Sequence, residues 1–273
     1  MRFRLLIATF IIISMPLTAQ TKFISTGIGN IAVHCVHRQS NALPIVFLHG
    51  VYFDHHLWDL TVNQIHDRTL ILIDMPLHGE SREITKPDWS LNDCAEMLIE
   101  ILHSLQIPKV IAVGHSWGGM TILRAAFKHP EKFEALGLCN MPFEAATSKH
   151  KRIIKLQHTM LFFRNFYTRQ TAKSLFGKSS LKTNPKLLAQ LQRPMNTLST
   201  ADIKETDKKV IMDAEDATNM ILGLQVKAIA LKGMEDYVPA PPKLETLLIE
   251  GGHISPLENS QKILELIDKL MQR

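Results

Sequence analysis

Apolar residues fall along this chain in two alternating patterns: short unbroken runs, and longer stretches in which they recur at helical spacing. The runs "PIVFLHG" (44–50), "TLILIDMP" (69–76), "KVIAVGHS" (109–116) and "FEALGLCNMP" (133–142) scarcely alternate with polar residues, so they predict strands buried on both faces. Between them, "SLNDCAEMLIEILHSLQI" (90–107) offers Ser90 as an N-terminal cap and places Leu91, Ala95, Leu98, Leu102 and Leu105 along one side of a helix. "WGGMTILRAAFKHP" (117–130) follows as a second helix. Strand and helix therefore alternate from about Pro44 to Asn140, which predicts parallel strands joined by right-handed crossovers in a layered α/β domain. Upstream, "KFIST" and "IAVHCVHR" flank the turn "GIGN" and predict a hairpin.

The pattern breaks at about Pro142. From there to Gly223 the chain predicts helices and loops, with "HTMLFFRNFY" (158–167) and "PKLLAQLQRPM" (185–195) as helical pieces. Strand patterning returns in "VKAIALKG" (226–233) and "ETLLIEGG" (245–252), and "ENSQKILELIDKLMQ" (258–272) closes the chain as a helix with Ile263, Leu264, Ile267 and Leu270 on its apolar face. A helical insertion between two halves of one sheet belongs over the carboxyl ends of the strands, the edge at which open α/β sheets bind ligands. The expected organisation is a signal peptide (1–20), a first core segment (21–141), a helical lid (142–223) and a second core segment (224–273).

The export signal rests on Arg2 and Arg4, an apolar stretch from Leu5 to Ile13 too short to span a bilayer, and small residues near Ala19 that suit a signal peptidase. The expected location is periplasmic or secreted. The formal charge of +5 includes Arg2 and Arg4, leaving +3 without them, too little to define a partner. Its distribution is more informative: no Asp or Glu occurs from Ala145 to Ala201, while Lys149, Lys151, Arg152, Lys155, Arg164, Arg169, Lys173, Lys178, Lys182, Lys186 and Arg193 all do. Such a stretch is either a solvated helical surface or a basic lid facing an anionic small-molecule substrate, lipid headgroups or an acidic carrier. No nucleic-acid motif accompanies it. Cys35, Cys94 and Cys139 each fall in an apolar run and predict small buried side chains; export would allow two of them to oxidise, and their spacing suits no metal.

"GHSWG" (114–118) satisfies G-x-S-x-G at a strand-to-helix turn, the setting of an exposed nucleophile. Side chains at 114 or 118 would collide with the neighbouring strand and helix, and the helix start aims the Trp117 amide and its positive end at an oxyanion formed on Ser116. A serine hydroxyl needs a base, and the base an orienting carboxylate. His253, in the glycine-rich turn after a strand, is the expected base; His115 is expected to face away from the nucleophile as a packed or hydrogen-bonded side chain, and His49 and His78 to be structural. Asp236, in the turn "LKGMEDYVPA", is the expected carboxylate, with Glu235 as the alternative; Asp213, Glu215 and Asp216 are expected to face water. The chain order Ser116, Asp236, His253 suits a triad on this architecture. The loop "FLHGVYFD" would add the Val51 amide as second oxyanion donor. Met160, Phe162, Phe163, Phe166, Tyr167 and Phe176 would line an acyl pocket or pack the lid's underside.

"FLHG" with Trp58, "IDMPLHGES", "VGHSWGG", "LKGMEDYVP" and "GGHISPLE" together resemble the α/β-hydrolase family, in its branch of small lidded serine esterases. The resemblance implies a mostly parallel sheet with helices on both faces, a helical lid, a Ser116–His253–Asp236 triad, no cofactor, and hydrolysis of a small carboxylic ester through an acyl-enzyme. A carbon–carbon bond hydrolase, an aminopeptidase, an acyltransferase and a non-catalytic binding protein would keep the same residues. One departure stands out: three prolines in "YVPAPPKLE" leave little room for the helix usual between the acid and histidine strands.

Overall fold

The structure, a computed structural model, describes residues 19–37 and 40–272. All but two residues of the expected signal peptide (1–20) therefore lie outside the described residues. Among the described residues nine strands form one sheet: β1 (Ala19–Ser25), β2 (Gly29–Val36), β3 (Ile45–Leu48), β4 (Leu70–Ile73), β5 (Glu83–Ile84), β6 (Val110–His115), β7 (Phe133–Cys139), β8 (Lys227–Gly233) and β9 (Glu245–Ile249). Its order is β1-β2-β4-β3-β6-β7-β8-β9, with β5 beside β2. Pairing is antiparallel from β1 to β4, as the hairpin requires, and parallel from β4 onward. This is the mostly parallel α/β sheet that the alternation predicts.

The unbroken apolar strands serve two cores at once. Val46, Leu48, Ile71, Ile73, Val110 and Ala112 point into one, and Ile45, Phe47, Leu70, Leu72, Ile111 and Val113 into the other. Because successive side chains alternate faces, a strand covered by helices on both sides has no solvent-facing position left for a polar residue.

The helices are α1 (Asp59–Val62), α2 (Leu91–Ser104), α3 (Trp117–Lys128), α4 (Ser148–Thr159), α5 (Arg164–Leu175), α6 (Lys178–Thr183), α7 (Leu187–Thr197), α8 (Thr200–Thr206), α9 (Thr218–Leu222), α10 (Ser255–Glu258) and α11 (Ser260–Met271). α2 begins at a capping box in which the Ser90 hydroxyl accepts from the Asp93 amide and the Asp93 carboxylate accepts from the Ser90 amide. α2 and α3 cover one face of the sheet and α11 the other. In α11 the buried row is Ile263, Leu266, Ile267 and Leu270, and the half-buried Leu264 packs against the same core.

From α4 to α9 the chain forms the helical insertion between β7 and β8. "HTMLFFRNFY" is not one helix: α4 ends at Thr159, a 3-10 turn covers Met160–Phe162, and α5 starts at Arg164. Four apolar residues in a row cannot share one helix face, and the break lets Leu161 point inward while Phe162 and Phe163 point out. No helix separates β8 from β9, as the prolines foreshadow; residues 234–244 cross over as a loop.

Candidate active site

β6 runs into Ser116, whose backbone sits at φ 50° and ψ −112°, a strained conformation for a residue with a side chain. The Ser116 amide donates to the Cys139 carbonyl on β7 (2.8 Å) and the Gly118 amide to the His49 carbonyl after β3 (3.1 Å), pinning the turn between two strands. Its glycines are steric necessities: a Cβ on Gly114 would stand 2.4 Å from the Gly118 carbonyl carbon, and one on Gly118 2.1 Å from the Leu48 oxygen.

The structure brings all three expected side chains together. The Ser116 hydroxyl lies 3.1 Å from His253 Nε2, placed to donate to it, and His253 Nδ1 donates to Asp236 Oδ1 at 3.0 Å. All three residues are buried. Asp236 also accepts from the Val238 amide (3.1 Å) and, through Oδ2, from the Asn140 side-chain amide (2.7 Å). Burial pushes its pKa up, but the hydrogen bonds from His253 and Asn140 and the charge of His253 outweigh that, and the carboxyl titrates below its usual range. The alternative, Glu235, is engaged elsewhere: its carboxylate accepts from the Lys178 and Ser179 amides and caps α6.

The His253 loop is held from three sides. Glu258 accepts from the amides of Gly177, Gly252 and Ile254 (2.9, 2.8 and 3.0 Å), the His253 amide donates to the Leu175 carbonyl at the end of α5 (2.7 Å), and the Tyr237 ring stacks on the imidazole at 5.2 Å. Asn140 went unnoticed in the sequence because its partner Asp236 lies 96 residues away, and Glu258 and Tyr237 because no local pattern marks a carboxylate that accepts from loop amides or a ring that stacks on His253.

Val51 borders the same space as Ser116, and Trp117 opens α3 beside it. Among the described residues neither amide has a hydrogen-bond acceptor, whereas those of Ser116 and Gly118 donate to carbonyls and that of Tyr52 to His78 Nε2. The Val51 loop is braced by two histidines. His49 Nε2 accepts from the Met75 amide (2.9 Å) and His78 Nε2 from the Tyr52 amide (3.1 Å), while their Nδ1 atoms donate to the Gly50 and Pro76 carbonyls. Both rings must therefore be neutral. Burial lowers both pKa values, that of His78 to about 3. His115, also lowered to about 3 by burial, is the packed, hydrogen-bonded side chain expected, though it borders the cavity rather than facing away from it. It donates from Nε2 to the His253 carbonyl (2.7 Å), in space left by Gly50, where a Cβ would stand 2.5 Å from its Nδ1.

These histidines predict a pH-dependent stability. Unfolded histidine protonates near 6.5, folded His78 and His115 only near 3, so between these values the unfolded chain binds more protons. Stability is therefore expected to fall as pH drops through that window, by about 1.4 kcal/mol per pH unit for each histidine. Urea unfolding at a series of pH values checks the slope, and His78→Gln, which keeps an acceptor for Tyr52, should lessen it by one histidine's share.

Tyr52, at φ 72°, ties this loop to the insertion: its hydroxyl donates to Asp207 Oδ1 (2.7 Å), and His158 Nε2 bonds Oδ2 (2.9 Å). Asp207 is buried at the start of a π-helical turn, Asp207–Met212, and nothing local in the sequence singles it out.

Above Ser116 lies a cavity of about 420 Å³, walled by Val51, Ser116 and His253 from the core and by Ile154, Tyr167 and Val210 from the insertion. Glu144 and Asp207 also line it, and no Lys or Arg does among the described residues. The basic residues of the insertion lie on its outer surface or, like Arg164, hold it together: that guanidinium donates to the Met195 and Leu198 carbonyls at the end of α7. Of the six expected aromatic and Met residues only Tyr167 lines the cavity; Phe176 packs in the buried core, and Met160, Phe162, Phe163 and Phe166 are exposed. Cys35, Cys94 and Cys139 are buried and free. Among the described residues one group has metal-ligand spacing, His34, His55 and Asp74. Each Asp74 oxygen already accepts two hydrogen bonds, from the His55 amide and ring on Oδ1 and from His34 and the Glu80 amide on Oδ2, so the group ties loops together.

Comparison with known proteins bears on the family and fold. Residues 44–183 match a family model described as alpha/beta hydrolase fold. A Haemophilus influenzae protein provisionally named an esterase/lipase is 24% identical over 252 residues, covering 90% of this chain and 80% of its own. This chain spans less than two thirds of the length of several further curated relatives. A thermophilic esterase of Thermogutta terrifontis superposes with a TM-score of 0.79 at 19% identity, over 93% of this chain and all (100%) of its own. An enol-lactonase of Burkholderia xenovorans does so with 0.80 at 16%, over 92% and 100%.

Proposed function

From the premise that this chain belongs to the α/β-hydrolase family, we propose that it is a serine hydrolase of carboxylic esters, working through an acyl-enzyme. The observation that carries the reading is the row Ser116–His253–Asp236, with contacts of 3.1 and 3.0 Å opening on a cavity. His253 Nε2 takes the Ser116 proton as the oxygen attacks the acyl carbon, then returns it to the leaving alkoxide. Asp236 holds Nδ1–H and balances the imidazolium. The Val51 and Trp117 amides stabilise the tetrahedral oxyanion, each worth on the order of 3 kcal/mol in the transition state. Water activated by His253 then releases the acid. The names of relatives, an esterase/lipase, an esterase and an enol-lactonase, support acyl-oxygen cleavage.

The helical insertion acts as the lid. Its Tyr167, Ile154 and Val210 close the cavity, and Asp207 reaches across to Tyr52 next to the oxyanion loop. The substrate is a small ester without negative charge. The basic insertion suggested an anionic one, yet the cavity presents carboxylates and no cation among the described residues, so a bound anion would lack a counter-ion. Export remains part of the proposal, supported by the charged and apolar pattern of residues 1–20.

Kinetics on esters of one alcohol with acyl groups of matched length, neutral or carboxylate-tipped, test the reading. Turnover of the neutral series with kcat/KM about tenfold or more above the anionic series is expected, from the cost of burying an unpaired charge. Equal rates would refute the polarity assignment, and no turnover of any ester the esterase assignment.

A further inference from the structure

The insertion carries an outer surface that ester hydrolysis does not use. Fourteen large apolar residues are exposed among the described residues, and six of them, Ile153, Leu156, Met160, Phe162, Phe163 and Phe166, fall within one short segment, 153–166. Phe162 is 88% exposed, Leu156 67% and Phe163 64%, and the two phenylalanine rings meet edge to face at 5.2 Å. Single exposed apolar residues are common on soluble proteins; a contiguous group of this kind marks an interaction surface.

The geometry of α4 separates this surface from the cavity. Thr147, at its N-cap, with His150, Ile154 and Gln157 recurs at three- and four-residue steps and lines the cavity. Lys149, Arg152, Ile153, Leu156 and Met160 recur at the same steps on the outward side, so cations and apolar residues share one stripe. The break at Phe163 then extends the apolar group through Phe162, Phe163 and Phe166, with exposed Lys155, Arg169 and Lys173 on the same two helices. No Asp or Glu from 145 to 201 offsets these cations.

We propose that this face docks on the surface of an anionic lipid bilayer. Aromatic rings beside lysine and arginine match a membrane interface, where rings sit at headgroup depth and the cations meet lipid phosphates. A second copy of this chain would bring the same cations face to face, so charge complementarity favours lipid. Docking is peripheral: among the described residues no helix is long and apolar enough to cross a membrane. The inner side of α4 keeps its place over the cavity while the outer side lies on the bilayer.

Vesicle flotation of the purified protein tests this, with phosphatidylcholine alone and phosphatidylcholine containing about a third phosphatidylglycerol as the probes. Wild type is expected to float with the anionic vesicles, weakly or not at all with neutral ones, and less in high salt. The double variant Phe162→Ser/Phe163→Ser should lower the partition coefficient about tenfold or more, and Lys149→Glu/Arg152→Glu should abolish the preference for anionic lipid. Both variants should keep the wild-type Tm, since all four side chains lie on the surface. Absence of wild-type flotation overturns the proposal, as does flotation unchanged in both variants. A dimer in sedimentation that the phenylalanine variant dissociates, without lipid binding, assigns the face to self-association and overturns it too. None of these readouts requires turnover, so they stand apart from the hydrolase assignment.

Discussion

Ser116→Ala is expected to lower kcat on a neutral ester by about 10^6, near the background reaction, while leaving the protein folded. The hydroxyl is the only group at the end of β6 that can form the acyl bond, and His253 Nε2, 3.1 Å away, would then have no proton to accept. Such a loss corresponds to about 8 kcal/mol of transition-state stabilisation. Stability should change little, because Ser116 makes its structural hydrogen bonds through the backbone and alanine meets the same strain at φ 50° that serine does. A fluorophosphonate probe gives the complementary readout: it should label wild type and leave the variant unlabelled. A variant that retains ester turnover would place the chemistry on another residue.

How much of this could be seen in the sequence depends on the distance over which each feature is determined. The strands were legible because burial on both faces leaves unbroken apolar runs, and the elbow because glycines at 114 and 118 answer to sterics within a few residues. Asp236 and His253 were legible from their turns after β8 and β9. The supports were not. Asn140 reaches Asp236 across 96 residues of chain and Tyr52 reaches Asp207 across 155, and neither pairing leaves a local pattern. The basic insertion stayed ambiguous for a related reason: composition gives charge but not direction. Arg164 turns to carbonyls at the end of α7, and Lys149 and Arg152 share the outer stripe of α4. The aromatic run 162–163 misled, since only the break between α4 and α5 decides which side faces in.

Asp236→Asn is expected to reduce kcat by about 10^4 with little change in KM, whereas Glu235→Gln should leave kcat unchanged and cost only some thermal stability through the α6 cap. The two carboxylates are chain neighbours, and geometry alone separates them: one meets His253 Nδ1 at 3.0 Å, the other the amides of Lys178 and Ser179. With asparagine at 236, one orientation turns an N–H toward His253, fixing the tautomer that cannot accept the Ser116 proton. The other keeps an oxygen there but sets Nδ2 against Asn140 Nδ2, which now donates to Asp236 Oδ2 at 2.7 Å, and Asn140 must then turn away from the Gly252 carbonyl. In both, the charge that stabilises the imidazolium is lost. The lowered pKa of Asp236 fixes the sign of its pH effect. A carboxyl that titrates lower in the folded state contributes stability above the ordinary carboxylate range and loses it only as pH falls through the lowered value. The acid limb of the wild-type rate profile should therefore not follow Asp236. Rates of the two variants over a pH series decide the matter, and equal losses in both would mean that Asp236 is not the group that orients His253.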